Sequence, residues 1–513
     1  MVNFWLTGER NGQTGRQRVI EPGQSRFSTL VAAHPGAVVA AFAAAQCLAW
    51  TLAPALSHFA PPLDVVESYL WGREWVVGTN KHPNLPGWVL EASRLLTGAT
   101  GWPAYLASQL FVAATYGLFY GLGRNMLGPA RAAMGTLLLA GVFYVTWPAI
   151  EFNHNVAQMP FWAAITLVLW RLRTRPNLGL WLLLSALGAG VLYAKLSAGL
   201  LLVVAGGWIL ADLPLRRQLL TAAPWFGLAL FLLLSVPLFG WLIRAHWQPL
   251  LYAAERSTGA GEGPLRFLGA QLLACIGLLA LAAICGLFGP LRDGEAAPSH
   301  TAVVFLATMT LAPIAAAALV AVAAGSGLKS MWGSPMLGLA GLLTVALTSR
   351  RFTPAALPRA AMAAAALLIA LPIGYAADTL LEARFTGHIK RQNWPQAAIA
   401  ARFDALWQAQ THKPLRIVAG ERWVAGLAAL TASGNPSILT DGSFTLSPWI
   451  TPERLRAEGA LVVWEVRPGA AAAPPGHLAV LIGGTKSGVE QFAVPLFPNA
   501  PPLSIGYAIV PPG

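Results

Sequence analysis

The sequence predicts a polytopic α-helical membrane protein of about eleven transmembrane helices, N-terminus inside and C-terminus outside, with a small C-terminal extra-membrane α/β domain. Three observations predict it. Only 11% of the 513 residues are charged and 56% are hydrophobic, whereas soluble domains are about 25% charged. Apolar runs of roughly 18–25 residues recur, long enough to cross a bilayer. Lipid offers unpaired backbone groups no partner, so Ala/Leu/Val-rich runs of this length become helices and not barrel strands. After residue 378, short β-prone runs separated by Pro and Gly replace the apolar texture.

Taken in order, residues 1–30 carry Arg10, Arg16, Arg18 and Arg26 and read as a cytoplasmic N-terminal tail. They are too polar for a cleavable signal peptide, so the first apolar run reads as a permanent anchor. A transmembrane domain is expected over 31–377, with spans near 33–57, 102–122, 132–150, 156–170, 178–193, 197–211, 219–243, 267–289, 301–323, 331–348 and 360–377. Between the first two spans lies a loop, 58–101. Within it Val65–Val77 mixes apolar, aromatic and charged residues, as an interfacial helix does.

Charge orients the map. With the N-terminus inside, the inside loops hold Arg124 and Arg131, then Arg171, Arg173 and Arg175, then Arg216 and Arg217, Arg292, and finally Arg350, Arg351 and Arg359. Short outside loops hold few basic residues: none at 151–155, then Lys195 and Lys329 singly. This is the positive-inside pattern, and it puts loop 58–101 and everything after 378 outside. The net charge of +13 therefore reports topology, since the basic residues sit in short clusters between spans and not in a nucleic-acid-binding face. Cys47, Cys275 and Cys285 all lie within apolar runs, which indicates neither a disulfide framework nor a metal cluster.

Residues 378–513 alternate strand-like runs (416–419, 437–440, 460–466, 478–482, 489–494 and 504–510) with helix-like stretches at 421–430 and 452–458. That alternation predicts a small α/β domain. Gly483-Gly484-Thr485 is a turn signal, without the Gly-rich fingerprint of a nucleotide site.

The chemistry concentrates in Asp64–Trp88, where Asp64, Glu67, Arg73, Glu74, Lys81 and His82 crowd into nineteen residues. Pro83 and Pro86 forbid a continuous membrane helix there. Other outside loops add Glu151 and His154, Lys195, Arg244 and Arg256, and Lys329 with Trp332. Ionisable residues at such depth are costly and usually pair or do work. Asp64, Glu67 and Glu151 can accept a proton from an attacking hydroxyl. Lys81, Lys195, Arg244, Arg256 and Lys329 can neutralise a departing phosphate. Together they suit transfer of a group from a lipid phosphate to an acceptor hydroxyl at the membrane surface. Plainer readings exist. Lys81 and Lys195 can snorkel to headgroups, and Trp71, Trp75, Trp88 and Trp332 can belong to the interfacial aromatic belt. His82 and His154 can be hydrogen-bonded structural residues, since no metal-ligand spacing accompanies them.

At these residues the sequence resembles the bacterial membrane glycosyltransferases of the GT-C type. It looks most like the branch (families 39 and 83) related to protein O-mannosyltransferases and to the aminoarabinose transferase acting on lipid A. The likeness rests on Asp64 after the first span and on Lys81-His82-Pro83-Asn84-Leu85-Pro86-Gly87-Trp88. It continues through Phe152-Asn153-His154-Asn155 with Pro160-Phe161-Trp162, Ala194-Lys195-Leu196-Ser197, and Lys329-Ser330-Met331-Trp332 with Pro335-Met336. Ala419-Gly420-Glu421-Arg422-Trp423, Asp441-Gly442 and Ser447-Pro448-Trp449 look like the extra-membrane tail of bacterial members.

The resemblance implies an inverting transfer of a sugar from a polyprenyl-phosphate donor to a hydroxyl of an envelope acceptor (glycolipid or lipopolysaccharide, polysaccharide, or protein) at the periplasmic face of the bacterial inner membrane. It implies Asp64 as base or acceptor-orienting acid, with Glu67 as the alternative base, Glu151 as the second acid, Lys81 and Lys195 as phosphate-side cations, and Lys329 and Trp332 on the donor side. His82, His154, Arg244 and Arg256 join the expected substrate contacts. No cofactor is implied; a divalent metal is compatible but not indicated, and no nucleic acid is expected. The competing class is a transporter or flippase of lipid-linked sugars, which would place charges at mid-membrane and show internal repeats.

Overall fold

The computed structural model describes residues 26–260, 262–292, 297–467, 469 and 472–513. Arg10, Arg16 and Arg18 of the expected tail lie outside the described residues, and Arg26 opens a short helix, Arg26–Ala33. The helices then follow as α1 (Pro35–Ser57), α2 (Leu63–Arg73), α3 (Leu85–Thr97), α4 (Trp102–Leu127), α5 (Pro129–Leu137), α6 (His154–Thr174), α7 (Leu178–Ala194), α8 (Gly199–Ala211), α9 (Ala222–Arg244), α10 (Gln248–Ala260), α11 (Pro264–Ile284), α12 (His300–Ala323), α13 (Ser330–Leu347) and α14 (Ala356–Thr386).

Each expected span coincides with helix, yet the helices are unequal. Among the described residues seven are long and apolar enough to cross a membrane, or eight if the pair 129–141 and 143–150, bent by 87°, is one span. Helices α7 and α8 are shorter. Helix α6 buries His154, Asn155 and Gln158 in its first turns, so its apolar face is diluted. The break after α5 comes where 3₁₀ turns carry the chain through Trp147-Pro148 to Glu151, and α13 likewise opens as a 3₁₀ stretch around Pro335. Proline cannot donate to the helical ladder, which suits Pro335 to its 3₁₀ stretch and Pro148 to the turn at 147–150; the 87° bend itself falls earlier, between Gly141 and Phe143, where no proline stands.

Beyond α14 come α15 (Gln396–Thr411), β1 (Ile417–Gly420), α16 (Arg422–Leu430), β2 (Ser437–Thr440), α17 (Pro452–Glu458), β3 (Ala460–Val466), α18 (Gly476–Ile482), β4 (Ser487–Phe492) and β5 (Leu503–Val510). The sheet order is β2-β1-β3-β5-β4. Strands β2, β1 and β3 are parallel, and β5 and β4 pair antiparallel. One expected strand is a helix: residues 478–482 form most of α18. Leu478 and Ile482, four apart, are the buried pair packed under the sheet with Trp464 and Ala508. Four-residue spacing is helical, whereas a strand would bury alternate residues.

A second expectation also fails. Helix α2 does not lie on a membrane surface with one face in lipid. Every residue from Val65 to Gly72 is buried, because α2 is sandwiched between α3 and α16. A Cβ on Gly72 would meet the Gly87 carbonyl oxygen at 2.2 Å, and one on Gly426 would meet Val66 Cγ1 at 2.5 Å. Glycine at both places is what lets the two neighbours close on α2.

Candidate active site

Helix α2 starts after Pro61-Pro62, which puts Asp64 in its first turn, where unpaired N–H groups favour a carboxylate. One turn on, Glu67 points to the chain that returns after α2. That return is a tight turn. Gly78 bridges Pro83, Thr79 N–H donates to His82 O at 2.9 Å, and Lys81 N–H donates to Thr79 Oγ1 at 3.3 Å. Asn84 Nδ2 donates to Trp71 O at 3.0 Å and Val76 O at 3.1 Å, and Trp88 Nε1 donates to Val76 O at 2.9 Å. Pro86 then begins α3, where a missing N–H costs nothing. The turn drives Lys81 inward. Its Nζ donates to Glu67 Oε1 at 2.6 Å and Oε2 at 2.8 Å, and lies 5.5 Å from the Trp71 ring and 5.9 Å from the Tyr252 ring.

The facing wall comes from the loop before α6. Asn153 caps α6, its Oδ1 accepting from Asn155 N at 2.9 Å and Val156 N at 3.3 Å. Its Nδ2 approaches Asp64 Oδ2 at 3.5 Å. Lys195 interrupts the chain between α7 and α8 in an extended conformation. Its buried Nζ donates to Asn155 Oδ1 at 2.5 Å and sits 5.9 Å from the Trp332 ring. His154 donates from Nε2 to Pro83 O at 3.0 Å, and its ring lies 4.3 Å from that of His82. Among the described residues no three His, Cys, Asp or Glu side chains form a metal-binding group.

Electrostatics follow from burial. Desolvation raises the Asp64 pKa above the ordinary carboxylate value, and Glu67 adds to it, while Lys81 and Lys195 oppose the shift. Desolvation also pushes Glu151 up to about 8, reinforced by Asp64 and opposed by Arg391. Lys195 is brought down to about 8 by burial against the pull of Asp64. Lys81 is lowered by burial, with Glu67 resisting. The result is an Asp64 carboxyl that takes a proton more readily than a free aspartate, a Glu151 that holds its proton near neutrality, and a Lys195 with no carboxylate within 4.0 Å among the described residues.

The structure thus gathers Asp64, Glu67, Lys81, His82, Glu151, His154, Lys195 and Trp332. Lys329 is half-buried just before α13, three residues from Trp332. Arg244 and Arg256 do not join. Both are exposed, at the end of α9 and on α10, and α10 instead turns Tyr252 toward His82 at 6.2 Å between rings. Long guanidinium side chains at the polar end of a helix gain more from water than from a closed site. Sequence reasoning did not assign Asn153, Asn155 or Arg422 as site residues. Both amides stood in the Phe152-Asn153-His154-Asn155 motif without a role, and Asn153 also carried an N-cap signal, an Asn just before an apolar helix. Arg422 stood in the 419–423 tail motif, but nothing local tied it to the site: its Nη1 reaches Glu67 Oε1 at 3.5 Å from 355 positions away.

Residues 81–241 match the family described as dolichyl-phosphate-mannose-protein mannosyltransferase. With the fold, that match makes the chain similar to multi-pass membrane glycosyltransferases of the GT-C type. The particular likeness is to ArnT from Cupriavidus metallidurans. Its crystal structure bound to undecaprenyl phosphate is 14% identical, covers 91% of this chain and 97% of its own, and superposes with a TM-score of 0.61. Its apo crystal structure is 15% identical, with coverages of 92% and 98% and a TM-score of 0.60. No curated protein sequence matches significantly.

Proposed function

We propose that the chain moves a sugar, with inversion, from a polyprenyl-phosphate donor to a hydroxyl of an envelope acceptor on the periplasmic face of the inner membrane. The N-terminus is inside, and residues 378–513 form the outer unit. The observation that carries this reading is Asp64 flanked by two buried lysines on separate segments. An acceptor hydroxyl attacks the anomeric carbon while Asp64 takes its proton. The bond from that carbon to the phosphate oxygen breaks, and Lys195 and Lys81 balance the charge left on the phosphate. Glu151, protonated near neutral pH, can donate a hydrogen bond to the developing anion. That a structurally similar protein holds undecaprenyl phosphate supports the donor class.

The test is Asp64→Asn in membranes supplied with polyprenyl-phosphate sugar. Transfer should stop while donor binding persists. Unchanged transfer removes Asp64 from the role of base.

A further inference from the structure

Lys81 has two tasks that compete. The transfer reading needs its charge at the donor phosphate, yet both of its short bonds go to Glu67, at 2.6 and 2.8 Å. The rings of Trp71 and Tyr252 lie 5.5 and 5.9 Å from its Nζ. An ammonium has three protons and a single charge, so while it stays on Glu67 it offers a phosphate little of either. Leaving is costly as well. The Glu67 side chain is only 7% exposed, and a buried carboxylate that loses its partner is strongly destabilised. Asp64, one turn earlier on α2, is a second carboxylate that repels it. Lys195 has no such conflict, since its Nζ rests on a neutral amide.

A second cation stands where it can resolve the conflict. Arg422 Nη1 lies 3.5 Å from Glu67 Oε1, the same oxygen that Lys81 holds most closely. Its side chain is 42% exposed, so it has room to move. Glu67 is its one polar partner among the described residues. The backbone brings it there. Gly420 ends β1 at a φ of 149°, and a Cβ on it would meet the Val463 carbonyl oxygen at 2.0 Å. The chain therefore leaves β1 close against β3, and Arg422 opens α16 two residues later. The Gly426–Val66 contact and the Arg73 guanidinium then hold α16 against α2. Lys81, Glu67 and Arg422 together leave one positive charge in surplus, and a phosphate can use it.

Resting on the transfer reading above, we infer that Arg422 is a positioning residue of the donor site: it takes over Glu67 when a lipid phosphate arrives, and so releases Lys81 to the phosphate. The exchange replaces one charge-assisted pair by another, so the buried carboxylate is never left bare. The C-terminal unit thereby takes part in donor binding without touching the donor.

Calorimetric binding of farnesyl phosphate to the full-length protein in detergent tests it, with farnesol as the uncharged control. Arg422→Gln should weaken farnesyl phosphate about tenfold, the loss expected when a charge-assisted hydrogen bond can no longer form, and leave farnesol unchanged. Arg422→Lys, which keeps the charge, should keep most of the affinity. In Glu67→Gln no carboxylate needs a new partner, so adding Arg422→Gln should cost nothing further. Equal binding of farnesyl phosphate by wild type and Arg422→Gln overturns the exchange. So does an equal loss for farnesol, which makes Arg422 a structural prop. A full loss that survives in the Glu67→Gln background overturns it too, because Arg422 then attracts the phosphate directly. Should Glu67→Gln not fold, the contrast between phosphate and alcohol and the lysine rescue decide alone. Binding is read without turnover, so the two proposals fail separately: unchanged transfer in Asp64→Asn removes the base, and unchanged binding in Arg422→Gln removes the exchange.

Discussion

From Glu67 to the end of α2 and in the 78–83 turn, charges are satisfied by close partners. Glu67 is held by Lys81 at 2.6 Å and approached by Arg422 at 3.5 Å. Arg73 at the end of α2 is spent on carbonyl oxygens of Ala429, Leu430 and Pro436. On the wall made by the 151–155 loop and Lys195, neutral amides do the holding. Asn153 approaches Asp64 and Asn155 accepts from Lys195. Among the described residues Asp64, Glu151 and Lys195 form no ion pair within 4.0 Å. A paired buried charge is stable only while its partner stays. A charge held by amides keeps its field available to a substrate, and costs stability to keep. The Glu67 and Arg73 contacts are therefore largely scaffold, and the Asp64, Glu151 and Lys195 group largely chemistry.

The sharpest way to break this division is Asp64→Asn. General-base removal is expected to slow transfer by about 10²–10⁴-fold, with thermal stability unchanged or higher, since a desolvated charge is relieved. A fall in melting temperature matching the fall in activity would move Asp64 to the scaffold side. Glu67→Ala should behave in the opposite manner. It strands Lys81, whose side chain is 9% exposed, and breaking a buried pair typically costs about 3–5 kcal/mol. Denaturation in detergent should show that loss. A stable Glu67→Ala protein that has lost transfer would instead favour Glu67 as the base.

Glu151 sharpens the comparison through pH. Folded, its carboxyl holds a proton up to about 8; the ordinary value is 4.5. Between these values the folded state binds more protons than the unfolded one. Its contribution to stability is thus complete below 4.5 and is lost as pH rises through 8. Wild-type melting temperature should decline across that window, and Glu151→Gln, which cannot ionise, should flatten the decline. If transfer needs the protonated acid, the variant should also keep activity above pH 8 where the wild type loses it.

Much of this was legible in the sequence because membrane helices announce themselves locally. Runs of apolar residues and the Pro83/Pro86 pair each act within a few residues of where they are read. The misreadings share a different cause. Helix α2 looked amphipathic because its charged residues seemed destined for water. Glu67 in fact points to a lysine fourteen residues on, and Arg73 to a helix more than 350 residues away. Arg244 and Arg256 looked like site cations because the charge pattern assigned them to the same side as Lys81, and an assignment to one side does not bring charges together. The 478–482 run is too short for periodicity to separate helix from strand.

Arg73 allows the smallest of these tests. Its guanidinium caps the C-terminal end of α16 and reaches Pro436 before β2. Cations are favoured at helix C-termini by about 0.3–1 kcal/mol when exposed and up to about 2 when partly buried. Arg73→Met keeps the apolar stem and removes the cap. It should cost about 1–2 kcal/mol, without the collapse expected of Glu67→Ala, because Gly426 still packs on Val66. Limited proteolysis should show faster cleavage between β1 and β2, and weaker binding by any ligand that needs Arg422 held near Glu67. If proteolysis is unchanged, α16 is fixed by packing alone, and Arg422 reaches the site without help from the other end of its helix.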